Sequence, residues 1–381
     1  MYHNIKKIDN LIKEREPIMN INFVDGPFFE IKNFPDCKYE VSFFSDGELI
    51  YNSKIGNNMW SKVNRKWYTD WKILLQNQNG DILHEYNLNL EGKKVYISME
   101  SSSLGDTLAW IPYVEEFRVL RKCDVVVSTF MNHLFVDQYP SLKFVEPGQT
   151  VNGIIAQYRI GWFYDSNGDI DYSKNPNNFR EQPLQKTASD ILGLDYREIR
   201  PLLKISKVKK QKKVGIALHS TAQSKYWNNP TGWQDVVNYL SELGYHVILY
   251  SKENDGYMGN FHPKGVDKFT AGDINTLIND MSTCEFFIGL GSGLSWLSWS
   301  LNLPTILISG FSEEWAETKD NTYRVINKSV CHGCFNKYKL DPGDWNWCPV
   351  YKGTPHQFEC TKSITSDMVI EQIRKIISPE F

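Results

Sequence analysis

VGIALHS (residues 214–220), GWQDVVNYLSELG (232–244), YHVILYS (245–251), DINTLINDMSTC (273–284), EFFIGLG (285–291), GLSWLSWSLN (293–302) and PTILISG (304–310) follow one another along the chain. Short apolar runs alternate with longer segments whose apolar residues recur every three or four positions. The runs are apolar on both faces, as strands of a parallel sheet covered by helices must be. The block therefore predicts a Rossmann-type nucleotide domain, whose ligand lies beyond the carboxyl ends of the strands.

Upstream, KVYISM (94–99) and CDVVVSTF (123–130) are strand-like, and LAWIPYVEEFRVLRK (108–122) between them has helical spacing, which is βαβ grammar again. The expected fold class is α/β: two Rossmann-like domains facing a cleft. Between them, 164–190, rich in Asn, Asp and Ser, reads as an extended surface loop, and KISKVKKQKK (204–213) as a solvated polar linker. Before them, INFVDG (21–26), FFEIKNF (28–34), YEVSFFSDGELIY (39–51) and WKILLQNQNGDILHEY (71–86) pair period-two segments with Asp-Gly and Asn-Gly turns, the signature of hairpins in a small all-β domain of barrel-like or sandwich type. The expected boundaries are 1–92, 93–208 and 209–381, with SDMVIEQIRKII (366–377) as a closing helix.

The composition is that of a globular protein, 41% hydrophobic and 23% charged over 381 residues. A net charge of -3 offers no footprint for nucleic acid. No apolar run reaches membrane-spanning length, and MYHNIKKIDNLIKEREP (1–17) lacks a secretory pattern, so the expected location is the cytoplasm. There thiols stay reduced. Aromatic residues are plentiful, at 14% with 12 Trp, and Trp60, Trp67 and Trp71 suit either packing or a contact face for a protein partner.

Seven cysteines are distributed unevenly. Cys37, Cys123 and Cys284 are scattered, whereas Cys331 and Cys334 form a CxxC pair followed singly by Cys348 and Cys360. Four thiolates complete a tetrahedral metal site, and the intervening segment, broken by Gly333, Pro342, Gly343, Pro349, Gly353 and Pro355, needs such a clasp to hold a shape. Four sulfurs leave no open position, so a structural finger over 331–360 is expected, with a redox centre as the competing reading.

Three motifs carry the chemistry. ESSSLGDTLAWIP (100–112) follows a strand and opens a helix, so Asp106 stands at a parallel strand's carboxyl end as a candidate general base, or as a helix cap. HSTAQSKYWNNP (219–230) presents Ser220, Thr221 and Lys225, donors suited to a diphosphate. GLGSGLSWLSW (289–299) is a glycine-rich turn into a helix whose first N–H groups, at Ser292, Gly293, Leu294 and Ser295, can hold phosphate oxygens without a metal.

At these residues the chain resembles the bacterial heptosyltransferases that use ADP-heptose, two-domain enzymes of GT-B architecture. Their Gly-Asp, their Thr with Lys-x-Trp and their Thr-Gly-Leu-Ser correspond to Gly105-Asp106, to Thr221 with Lys225-Tyr226-Trp227, and to Ser292-Gly293-Leu294-Ser295, over about residues 94–380. The lipopolysaccharide enzymes carry an acid and a His where this chain has Gly291 and Trp296. With the four cysteines and the β-rich start, the whole chain is more specifically similar to the bacterial autotransporter heptosyltransferases, which attach heptose to serine hydroxyls of adhesins. That resemblance implies ADP-heptose as donor, an autotransporter adhesin as acceptor, iron (zinc being the alternative) on Cys331, Cys334, Cys348 and Cys360, one ion per subunit, and a large homo-oligomer, a dodecamer. The residues themselves suit an inverting displacement in which Asp106 takes the serine proton while Lys225 and the 292–295 turn hold the leaving ADP with no divalent cation. Transfer to lipopolysaccharide core, or from another nucleotide sugar, is the alternative.

Overall fold

The structure, a computed structural model, describes residues 16–206, 208–270 and 272–378. Most of the N-terminal stretch that lacks a secretory pattern, residues 1–15, lies outside the described residues.

Among the described residues seven strands come first: β1 (Ile18–Asn22), β2 (Phe28–Lys32), β3 (Tyr39–Ser45), β4 (Glu48–Ile55), β5 (Trp60–Lys62), β6 (Trp71–Gln76) and β7 (Ile82–Asn87). They form two antiparallel sheets, ordered β1-β2-β5 and β4-β3-β6-β7. Alternation drives them: Val41, Phe43, Ile73 and Leu75 are fully buried on one face, with half-exposed residues between them on β6. Of the barrel and sandwich forms expected, the strands take the two-sheet one: they do not close into a barrel, and β5, three residues long, pairs with β2 alone among the described residues. Of the tryptophans, Trp71 is buried, Trp67 is half-buried beneath the Arg65 guanidinium at 4.5 Å, and Trp60 is exposed.

The N-terminal sheets are fused to the first parallel sheet. Phe23 N donates to Ile155 O (2.7 Å) and Gln157 N to Phe23 O (3.1 Å), so the chain before β2 lies along that sheet's edge. Tyr68 meets Phe117 and Tyr158 edge to face, with centroids 5.6 and 6.0 Å away, in one continuous core. Phe117→Ala should cost about 3–5 kcal/mol. In urea, followed by far-UV signal and by tryptophan emission, the N-terminal sheets and the first parallel sheet should then lose stability together; destabilisation confined to one of them would refute a shared core.

The first parallel sheet, β10-β9-β8-β11, contains β8 (Lys94–Met99), β9 (Asp124–Ser128), β10 (Lys143–Val145) and β11 (Ala156–Ile160), with α1 (Leu104–Arg121) and α2 (Leu184–Ile191) packed on it. The second, β14-β13-β12-β15-β16-β17, contains β12 (Lys213–Ile216), β13 (His246–Leu249), β14 (Asp267–Lys268), β15 (Phe286–Leu290), β16 (Thr305–Ile308) and β17 (Thr322–Val325), with α3 (Gly232–Glu242), α4 (Ile274–Met281) and α5 (Gly293–Ser300) as crossovers. All its pairings are parallel, and β12, β15 and β16 are buried along their whole length. Short helices α6 (Cys334–Lys337) and α7 (Glu359–Lys362) lie in the cysteine-bearing segment, and α8 (Ser366–Ile377), capped by Thr365, packs back on the second domain.

Two expectations change. The lysine run is not wholly solvated: Lys213 is buried in β12, with Nζ 2.9 Å from Asp280, and Lys210 Nζ donates to Cys284 O. Residues 164–190 are not an extended surface loop either. They contain most of α2, whose Ala188 and Ile191 are fully buried, and Gln185, buried and bonded to Ala109 O and Ile199 O. Polar composition concealed them, because here amide side chains satisfy the backbone inside the fold.

Candidate active site

Each parallel sheet reverses its strand order once, between β8 and β11 and between β12 and β15, and the loops leaving those strands converge. Close approach requires small residues. A Cβ on Gly105 would stand 3.0 Å from Trp296 Cδ1, and one on Gly293 would stand 3.3 Å from Gly105 N. The amino ends of α1 and α5 thus abut, and a cavity of about 100 Å³ lies beside them, lined among others by Asp106, Lys225, Ser292, Gly293, Phe311 and Glu317.

Asp106 is the third residue of α1, not its cap. Its Oδ2 accepts from Ser101 Oγ at 2.6 Å, so the carboxylate is spent on no helix N–H and is aimed into the cavity. Burial pushes its pKa above the usual carboxylate range, against the Ser101 hydrogen bond and the Lys225 charge, which pull it down. Lys225 ends a short 3-10 turn (Gln223–Lys225), lies 5.0 Å over the Phe311 ring and donates to Thr221 Oγ1 at 3.3 Å. Burial lowers its pKa, while the charges of Asp106 and Glu317 oppose that. A carboxylate and an ammonium therefore face one cavity within reach of each other's fields.

Thr221 is exposed, and the Ser220 hydroxyl is buried without a partner among the described residues. The glycine-rich turn is narrower than expected. Ser292 N donates to Leu290 O (2.7 Å), Ser295 N to Ser292 O (3.1 Å), and the Ser295 hydroxyl to Leu290 O (2.6 Å). Turn closure consumes those groups, leaving the N–H groups of Gly293 and Leu294 without an acceptor among the described residues.

The cysteine segment reaches the same place. Gly333 N donates to Gly310 O (2.9 Å) and Phe335 N to Phe311 O (3.0 Å), and Phe335 and Trp347 pack on Phe311 with centroids 4.9 and 5.6 Å away. Gln223 N donates to Trp345 O (3.0 Å), and Trp345 meets Tyr226 edge to face. The segment therefore supports both the ring beneath Lys225 and the turn that bears it. Cys348 and Cys360 are buried, Cys331 and Cys334 half-buried. Burial, then repulsion among the four were they thiolates, pushes Cys334 up to about 11 and Cys360 up to about 12. The thiols are thus near one another, although among the described residues no three His, Cys, Asp or Glu side chains already stand at metal-holding distances.

Sequence reading missed Glu317, Phe311, Phe335, Asn336, Trp162, Phe179 and Gln182, which also line the cavity. None sits in a motif; the one local signal was the FSEE stretch shortly after β16, at a strand's carboxyl end.

Residues 177–341 match the model of glycosyltransferase family 9 (heptosyltransferase). Autotransporter heptosyltransferase Aah of Escherichia coli is 35% identical over 382 residues, which cover 95% of this chain and 96% of Aah. The crystal structure of TibC, an iron-containing dodecameric glycosyltransferase of enterotoxigenic E. coli H10407, covers 95% of this chain and 96% of its own with a TM-score of 0.85 at 32% identity. The E. coli ADP-heptose lipopolysaccharide heptosyltransferase II, at 12% identity and TM-score 0.51 over 75% of this chain and 99% of that one, shares the GT-B-like fold alone. Likeness to Aah along nearly the full length, together with two parallel sheets meeting at an acid and a lysine, makes this chain a member of the autotransporter heptosyltransferases.

Proposed function

We propose that the chain transfers heptose from ADP-heptose to serine hydroxyls of an autotransporter adhesin, with inversion at the anomeric carbon. The observation that carries this reading is the single cavity shared by Asp106, Lys225 and the open start of α5. TibC has been crystallised with ADP-D-beta-D-heptose, which supports the donor. Asp106 accepts the serine proton as the oxygen attacks, and Ser101 orients the carboxylate. Lys225 and the N–H groups of Gly293 and Leu294 take up the charge that grows on the departing diphosphate, with Ser220 and Thr221 positioning its oxygens. That positive field is supplied by the chain, so transfer needs no divalent cation.

The fitting of iron rests on the donor set. Four cysteine sulfurs on one segment, two of them buried and two half-buried, are a soft donor set suited to such a cation, and Cys331, Cys334, Cys348 and Cys360 would hold one ion per subunit. Bound there, the ion clasps the 331–360 finger and has no part in the displacement; zinc could fill the same set. The iron-containing dodecameric TibC supports iron and, for this chain, a dodecamer. Among the described residues no helix is long and apolar enough to cross a membrane. A set of reduced thiols suits the cytoplasm.

Intact-mass analysis of an adhesin passenger domain incubated with this protein and ADP-heptose should show increments of one heptose residue. An unmodified passenger beside a modified lipopolysaccharide core would overturn the acceptor, and increments from a different nucleotide sugar alone would overturn the donor.

A further inference from the structure

We propose that Glu317 recognises the transferred sugar itself, accepting hydrogen bonds from its hydroxyls and so placing the anomeric carbon between Asp106 and Lys225. This rests on the donor reading above and goes beyond the diphosphate contacts.

The carboxylate lines the cavity with Ser292 and Trp296. It is firmly held: Ser312 Oγ donates to Oε1 at 2.7 Å, and Arg324 Nη1 pairs with Oε2. Arg324 in turn donates to Ser312 O (2.8 Å) and Ser312 Oγ (3.0 Å), so the acid has little freedom to swing away. A carboxylate offers about four acceptor positions, and two are used. Gly291 keeps the rest open, because a Cβ there would stand 2.9 Å from Glu317 Oε1. The acid thus occupies the space in which a side chain at position 291 would begin.

Hydrogen-bond chemistry decides what it faces. A diphosphate offers only acceptors, as does the Arg324-paired carboxylate, and its natural partners here are Lys225 and the N–H groups of Gly293 and Leu294. The neutral, hydroxyl-rich part of the donor is the part a fixed anion attracts, as acceptor to donor.

The test separates sugar from nucleotide. In Glu317→Gln, KM for ADP-heptose should rise about tenfold or more, as for a lost hydrogen bond to a charged group, while competitive inhibition by ADP changes less than about twofold. A relocated acid, Gly291→Asp combined with Glu317→Ala, should recover part of the loss seen in Glu317→Ala alone. Equal losses for ADP and ADP-heptose, or a lowered melting temperature with unchanged donor KM, would make Glu317 only the structural partner of Arg324. A wild-type chain that binds ADP but gains nothing from the heptose would overturn the donor reading, and this proposal with it.

Discussion

Asp106→Asn is expected to lower transfer by about 10²- to 10⁴-fold while leaving ADP-heptose binding nearly intact, since the role proposed for the residue is on the acceptor's proton. The amide keeps the shape and can still pair with Ser101, whose hydroxyl holds the carboxylate at 2.6 Å. What it lacks is basicity. The pH profile carries a second signature. Burial raises the Asp106 pKa, so transfer should fail on the acid side at a pH above that of an ordinary carboxylate. The Lys225 charge lowers the same pKa; Lys225→Met therefore lets it rise further and moves the acid limb of kcat/KM to higher pH, besides slowing departure of ADP. Rates measured from about pH 4 to 9 check both. A limb that stayed in place in Lys225→Met, or an Asp106→Asn protein with near-normal turnover, would remove Asp106 as the base.

The double change Cys331→Ser, Cys334→Ser should abolish iron binding and most donor binding together. In the proposed site the CxxC pair supplies half of the sulfur ligands, and a structural tetrathiolate is worth on the order of 10 kcal/mol to the segment it closes. The damage reaches the cavity by a traceable route. Trp345 O holds Gln223 N at 3.0 Å, Trp345 packs on Tyr226, and Phe335 and Trp347 fix the Phe311 ring beneath Lys225. Unclasped, the finger would release both the Lys225 turn and its floor. Metal analysis, ADP-heptose titration and tryptophan emission should change in step. A metal-free double variant that still bound donor at wild-type affinity would show that the finger serves something other than the cavity.

The finger also shows how far local pattern reaches. Cysteine spacing suggests a clasp and cannot say what the segment packs on, because Gln223 and Phe311, the partners of Trp345 and Phe335, lie outside the cysteine-bearing stretch. Asp106 and Lys225 were legible for the opposite reason: each follows a strand closely, and a parallel sheet sends every such loop to the same edge. Spacing also cannot show that the turn at Ser292 and Ser295 uses those residues' own N–H groups. The 164–190 segment was misread as surface because Gln185 and Gln182 look solvated until the segments that bury them are in place.

Local repetition in the chain was enough to establish the two β/α blocks, the hairpin-rich start, the strand-end loops and the thiol set. The physical basis is short range, since side-chain periodicity and turn chemistry act within one element. Three features came from the folded chain alone: the N-terminal sheets share a core with the first parallel sheet, the cysteine-bearing segment stands against the Lys225 turn, and Glu317 occupies the space left by Gly291. All three are packing outcomes between distant segments, where a glycine matters for what it admits and a carboxylate for the charge it meets.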